Sequence, residues 1–391
     1  MQPWSGIRVL DISQGIAGPY CAQILAAQGA DVIKVEPPSG DWGRFVGYTK
    51  GDQSALSIQY NQGKRGVALD ARAAEGRALL KEIVAQCQVL IQNFRPGVAE
   101  RLGIDYASLI KTQKDMVCVS ITGYGPTGPA ANLPASDSVL QADSGLMHAN
   151  RSQTGEPRRI GMLLADSVTG LYAAQALSAA LYQRLLTGQG SHVQTSLFQA
   201  CVALQGMNLV DHALAGERPA GAVSAPNGVF GTADGQMTVL ALNDEQFGRL
   251  CRAIDKPDWL TDARFASNAS RMEHRDVLHA ALTQLMQGKN TAHWVEAFTK
   301  HEVLHAIVRD YGELLSHPQA AVLGLFAPTM QPGVGEFPSI PFPAAIFSAP
   351  VCVSPSIGQD TVSVLKSLGI ESSRIESLLA QGVLAQSEVK K

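Results

Sequence analysis

The sequence predicts an α/β protein: an open, doubly wound (Rossmann-like) large domain plus a smaller α+β domain. Three observations carry this. Short β-rich runs alternate with helical stretches through the first half of the chain. Several of those runs, such as VCVSI, are apolar almost throughout, as strands of a parallel sheet buried on both faces are. Beyond residue 216 the texture changes to a loose stretch rich in Gly, Ala and Pro, followed by two β runs flanking Asp234-Gly235, a strong hairpin signal.

The first run, residues 7–12, meets the glycines Gly15 and Gly18. A helix follows over 20–28 and a second strand over 32–35, broken by Pro37-Pro38: a βαβ unit. GIAGPY is not GxGxxG, and its Pro and Tyr would crowd a pyrophosphate, which argues against dinucleotide binding. The alternation continues with strand 66–69, helix 73–86 and strands 89–92 and 116–121. Asn93-Phe94-Arg95-Pro96-Gly97 directly follows a strand, where open α/β sheets bind ligands; alternatively it is a turn with one snorkelling Arg. A Gly/Pro-rich loop, residues 122–129, follows the next strand, then a short helix over 138–147. Residues 193–213 read as mostly helical. In the small domain, helices are expected over 245–253, 271–286 and 291–300. The tail, after a Pro-rich stretch at 337–353, carries helices over 358–368 and 372–381.

With 391 residues, 46% hydrophobic and 17% charged, the chain can bury a sizeable core and exceeds one ordinary domain. A net charge of -3 makes no electrostatic case for nucleic acid or a membrane surface. The 6 cysteines are scattered without a CxxC pair, which suggests neither a metal site nor a disulfide framework. No signal peptide and no bilayer-spanning run is read, so a cytoplasmic location is expected.

The most informative stretch is residues 161–196. Asp166 opens a long apolar helix in which Leu171, Ala174, Leu177, Leu181 and Leu185 recur at helical spacing, ended by Thr187-Gly188. On its own, Asp166 reads as a plain N-cap.

This stretch, the loop Thr122-Gly123-Tyr124-Gly125, the segment Asn132-Leu133-Pro134-Ala135 and the run from Asn227 to Val239 together resemble the class III CoA-transferase family (CaiB/BaiF type). Its members include formyl-CoA transferase and the carnitine-CoA transferases, with α-methylacyl-CoA racemases as a sister branch. The resemblance covers nearly the whole chain. It implies that Asp166 is the nucleophile, and that Leu69, Arg72, Asn93, Phe94 and Arg101 contact CoA. It implies no metal and no tightly bound cofactor, with CoA and a small carboxylic acid as substrates. Gly123 and Gly125 are candidate oxyanion donors by position. Pro37 and Pro134 stand where formyl-CoA transferase has basic residues, so Lys64, Arg65 or Arg44 are candidates to rebuild the phosphate contacts.

The resemblance further implies an interlocked homodimer and a discontinuous large domain, 1–215 with 330–391, a small domain over 226–325, and linkers at 216–225 and 326–329. Where the racemase branch has a His before an Asp, this chain has Ser136-Asp137, with His148 the nearest alternative base. A racemase-like proton transfer and a non-catalytic acyl-CoA binder are the alternatives to transfer. Nothing over 229–246 resembles the glycine run of formyl-CoA transferase, which argues against oxalate and formate and for a longer dicarboxylate or a carnitine-like acid.

Overall fold

The computed structural model describes residues 2–152, 155–216, 223–343 and 352–387. The chain forms two compact units, Met1–Asp211 with Gly324–Lys391, and His212–Leu323. Of the linker expected at 216–225, residues 217–222 lie outside the described residues, as do 344–351 of the expected Pro-rich stretch.

The larger unit is built on six parallel strands: β1 (Arg8–Asp11), β2 (Asp31–Glu36), β3 (Arg65–Leu69), β4 (Val89–Gln92), β5 (Val117–Thr122) and β6 (Ser191–Ser196). Their order across the sheet is β3, β2, β1, β4, β5, β6, and the C-terminal strand Leu384–Ala385 adds antiparallel to β3. The chain winds outward from β1 to β3, then returns to the other side of β1 for β4 to β6. The winding therefore reverses between β1 and β4, and a crevice opens beyond their carboxyl ends.

Alternation along each strand explains the continuous apolar runs. Leu10, Ile33, Leu69, Leu90 and Cys118 face one core, packed by helices including Ala74–Val84. Val9, Val32, Val89, Val117 and Val119 face the other. That core is packed by α1 (Ala17–Ala27) and by the long helix Leu164–Thr187. Helix α1 begins earlier than the expected residue 20, taking Gly18 and Pro19 into its first turn, where the missing proline N–H is an orphan anyway. The short hairpin Thr49–Lys50 with Gln53–Ser54 and the helix Ala55–Asn61 behind it carry no sequence periodicity to announce them.

The smaller unit contains the expected hairpin, Asn227–Gly231 with Gln236–Leu240 turning at Asp234-Gly235, and a third antiparallel strand, Leu304–Ile307. Phe230, Met237, Phe247, Leu282, Trp294 and Phe298 form its core. The helix expected over 271–286 is two, Asn268–Glu273 and Arg275–Gln287. No helix among the described residues is long and apolar enough to cross a membrane.

Candidate active site

The crevice at the winding reversal holds a cavity of about 610 Å³. Its walls come from the segments that leave the strands: Gln14, Ile16 and Ala17 after β1, Asn93 to Pro96 after β4, and Thr122 and Gly123 after β5. The first two walls are stitched together. Gln14 N–H donates to Asn93 Oδ1 at 2.8 Å, and Asn93 Nδ2 donates to the Gln14 carbonyl at 2.7 Å. The Asn93 amide is thus engaged on both sides with backbone. Gly15 (φ 76°) sits against Trp42, whose ring lies 2.2 Å from where a Cβ would stand, so a larger residue there would displace this wall.

Asp166 also lines this cavity and is half-buried. It is not the N-cap of its helix. That helix starts at Leu164 with Leu163 at the cap position, and Asp166 lies in the first turn. The capping is done from a distance by Asp137, on the helix Asp137–Asp143. Its buried carboxylate accepts the Ala165 N–H at 2.7 Å and the Asp166 N–H at 3.3 Å, and Gln141 Nε2 donates to it at 2.7 Å. Asp166 is left with its side chain toward the cavity. Burial pushes its carboxyl up to about 7, and the neighbouring Asp137 carboxylate pushes in the same direction.

The remaining expected residues are spread more widely. Phe94 lines the cavity. Leu69 is 2% exposed and belongs to the core, and Arg72 projects into solvent paired with Asp70 at 2.9 Å; neither lines the cavity. Arg101 is exposed and lies over Gly97, beside the Phe94 segment. Gly123 is a wall residue, packed so tightly on Ala135 that a Cβ would stand 2.1 Å from that side chain. The Gly125 N–H donates to Thr122 Oγ1 at 3.0 Å and is therefore taken.

Two of the proposed replacement cations are corrected by burial. Arg44, 1% exposed, is locked on Glu36 at 2.6 Å, and Lys64, 5% exposed, on Asp11 at 2.7 Å. Pulling either out to meet a phosphate would strand a buried carboxylate, at about 3–5 kcal/mol. Arg65 pairs with Asp31 at 2.6 Å. The cation that does line the cavity is Arg95, exposed and in the turn after β4. In sequence it was indistinguishable from a snorkelling turn residue; only its place at the winding reversal marks it out. His148, the alternative base, is exposed, bonded to Arg151, and does not line the cavity. Among the described residues, no group of three or more His, Cys, Asp or Glu is placed to hold a metal ion.

Comparison with known proteins shows the family. The profile of a family described as CoA-transferase family III matches residues 4–361. The chain is 35% identical to the acetyl-CoA:oxalate CoA-transferase of Acetobacter aceti, over 85% of this chain and 88% of that one. It is 31% identical to the succinyl-CoA:glutarate CoA-transferase of Homo sapiens, over 99% and 91%. Among solved structures, a CaiB/BaiF family protein from Brucella suis superposes with a TM-score of 0.85 at 30% identity, covering 94% of this chain and 99% of that one. The family profile and these likenesses show that the chain belongs to CoA-transferase family III and is a CoA-transferring enzyme.

Proposed function

We propose that the chain moves CoA from an acyl-CoA thioester to a small carboxylic acid, with Asp166 as the nucleophile. The observation that carries this is a half-buried carboxylate with a raised pKa, facing the cavity at the winding reversal, while Asp137 takes over the capping work beside it. A carboxylate so placed is poorly solvated as an anion, which favours attack on a carbonyl carbon.

In this reading Asp166 attacks the thioester carbonyl, and the C–S bond breaks to release CoA thiolate. An acyl-aspartyl anhydride remains. The thiolate then attacks the aspartyl carbonyl, giving an aspartyl-CoA thioester and the donor's free acid. The acceptor carboxylate repeats the exchange in reverse and leaves as its CoA thioester, restoring Asp166. Each carbonyl stays activated, so no ATP is consumed. Gly123, in the wall, is the better placed of the two candidate oxyanion donors, because the Gly125 N–H is occupied.

CoA is placed along Asn93, Phe94 and Arg95, with Arg101 beside them, and Arg95 supplies a cation in the cavity. Leu69 and Arg72 are the weaker part of the proposed CoA set, given where their side chains lie. A dicarboxylate is the favoured acceptor class, by likeness to the relatives named for oxalate and for glutarate. The relatives named for oxalate and for glutarate make both acids, with succinyl-CoA and acetyl-CoA as donors, the first panel to assay. The racemase alternative is disfavoured by the capping role of Asp137 and by His148, which pairs with Arg151 and does not line the cavity.

An interlocked homodimer belongs to the same reading; the outer half of the Asp166 helix exposes Tyr182, Leu185 and Leu186, apolar surface that a partner would cover. Sedimentation should give a dimer at micromolar concentration, and a stable monomer would count against it. Incubation with an acyl-CoA and hydroxylamine should convert Asp166 to its hydroxamate, read as a mass shift on its peptide. No modification at Asp166 would end the covalent reading.

A further inference from the structure

A second, smaller cavity of about 130 Å³ lies behind the cavity wall. The two share Phe94, Arg95, Pro96 and Thr122, so the turn after β4 is a thin partition with space on both sides. A partition with a void behind it is not held by packing alone. Strand register shows what holds it. Gln92 pairs with Ser120, and Ser120 with Gln194, so Gln92, Ser120 and His192 project from one face of the sheet.

Their side chains form one hydrogen-bonded chain across β4, β5 and β6. The Phe94 N–H donates to Gln92 Oε1 at 2.7 Å, which fixes the orientation of that amide. Gln92 Nε2 then donates to Ser120 Oγ at 2.8 Å, and Ser120 Oγ meets His192 Nε2 at 2.8 Å. Since Ser120 accepts from Gln92, its own hydroxyl proton is available for His192, whose Nε2 then accepts as part of a neutral ring. Burial favours that neutral form, against the opposing influence of Asp105 and Glu100. The His192 ring is itself stacked on Tyr106 at 5.0 Å.

We propose that Gln92 is a positioning residue for the CoA-binding wall: through the Phe94 N–H it fixes the partition, with Ser120 and His192 setting the direction of its amide. The proposal rests on the placing of CoA against Phe94 given above. A buried side chain two residues upstream of Phe94, which does not itself line the larger cavity, would thereby govern affinity.

The test is calorimetric titration of the full chain with free coenzyme A, with thermal midpoints recorded for each variant. Phe94→Ala should weaken binding about tenfold, and Gln92→Leu by a similar factor, the scale of one lost hydrogen bond to a buried group. Gln92→Glu, which keeps an acceptor for the Phe94 N–H, should restore most of the affinity. A merely structural role for Gln92 would not distinguish Leu from Glu at equal thermal midpoint. If Phe94→Ala binds CoA normally, the placing of CoA fails and the proposal with it. If Phe94→Ala weakens binding and Gln92→Leu does not, or Glu fails to rescue, the proposal alone is overturned. Should Gln92→Leu not fold, Ser120→Ala reads the same chain: about a threefold loss is expected from the freed amide, and unchanged affinity overturns it.

Discussion

Asp11 and Asp166 are the same side chain in opposite company. Both stand near the winding reversal, one at the end of β1 and the other in the first turn of the helix Leu164–Thr187. Asp11 is wholly buried, which alone would push its carboxyl up, yet Lys34 and Lys64 together hold it below the usual carboxylate range. Lys64 reaches it at 2.7 Å and also donates to the Pro19 carbonyl at 2.9 Å, tying β1 to the start of α1. Asp166 is less buried, yet its nearest charged influence is another carboxylate, and its pKa rises to about 7. Burial beside two cations leaves a carboxyl with a lowered pKa, and burial beside another carboxylate raises it. The first arrangement ties β1 to the start of α1, and the second is that of the proposed nucleophile.

The largest expected effect breaks the reactive half of that pair. Asp166→Asn should abolish CoA exchange while the fold survives, because a neutral amide is a poor nucleophile and the capping is already done by Asp137. Near-normal exchange by this variant would sink the mechanism. Next comes the structural half. Lys64→Met leaves the Asp11 carboxylate with one cation fewer in a buried site, and should lower stability by about 3–5 kcal/mol in denaturant titration. A loss below about 1 kcal/mol, the scale of a surface pair, would show that Asp11 does not depend on its company.

The pH profile sharpens the comparison. The nucleophile must be ionised, so kcat/KM should rise with pH to a plateau with a midpoint near 7. A profile flat from pH 5 to pH 9 would mean that the carboxyl is ionised throughout. Stability carries the opposite sign. A carboxyl whose folded pKa lies above its unfolded value stabilises the fold below the unfolded pKa and loses that contribution as pH rises through the folded one. Asp166→Asn should therefore raise the thermal midpoint at pH 8 and leave it nearly unchanged at pH 4. Asp11, with its pKa lowered, behaves conversely: its contribution is present at neutral pH and is lost as pH falls through its folded value. Smallest is Arg101→Ala, which should weaken CoA binding by about 1–3 kcal/mol if the guanidinium meets a phosphate, measured by calorimetry. Unchanged affinity would leave Arg95 as the proposed cation of the site.

The sequence by itself determined the βα alternation, because buried parallel strands must be apolar on both faces and the intervening helices on one. It determined the hairpin at Asp234-Gly235, because turn chemistry is local. It also singled out Asp166, through the likeness of its neighbourhood to a family. The tertiary structure alone decided what that aspartate does for its own helix. The Asp137 carboxylate caps the helix from 29 residues away, and a cap supplied across the chain leaves no local spacing to detect. It likewise decided which cations are free. Arg44, Lys64 and Arg95 are alike in charge, yet two are closed onto buried carboxylates and one lines the cavity. Partners of charges are chosen by where strands and turns converge in space, and that convergence is written in the packing of the whole sheet rather than in any one stretch of chain.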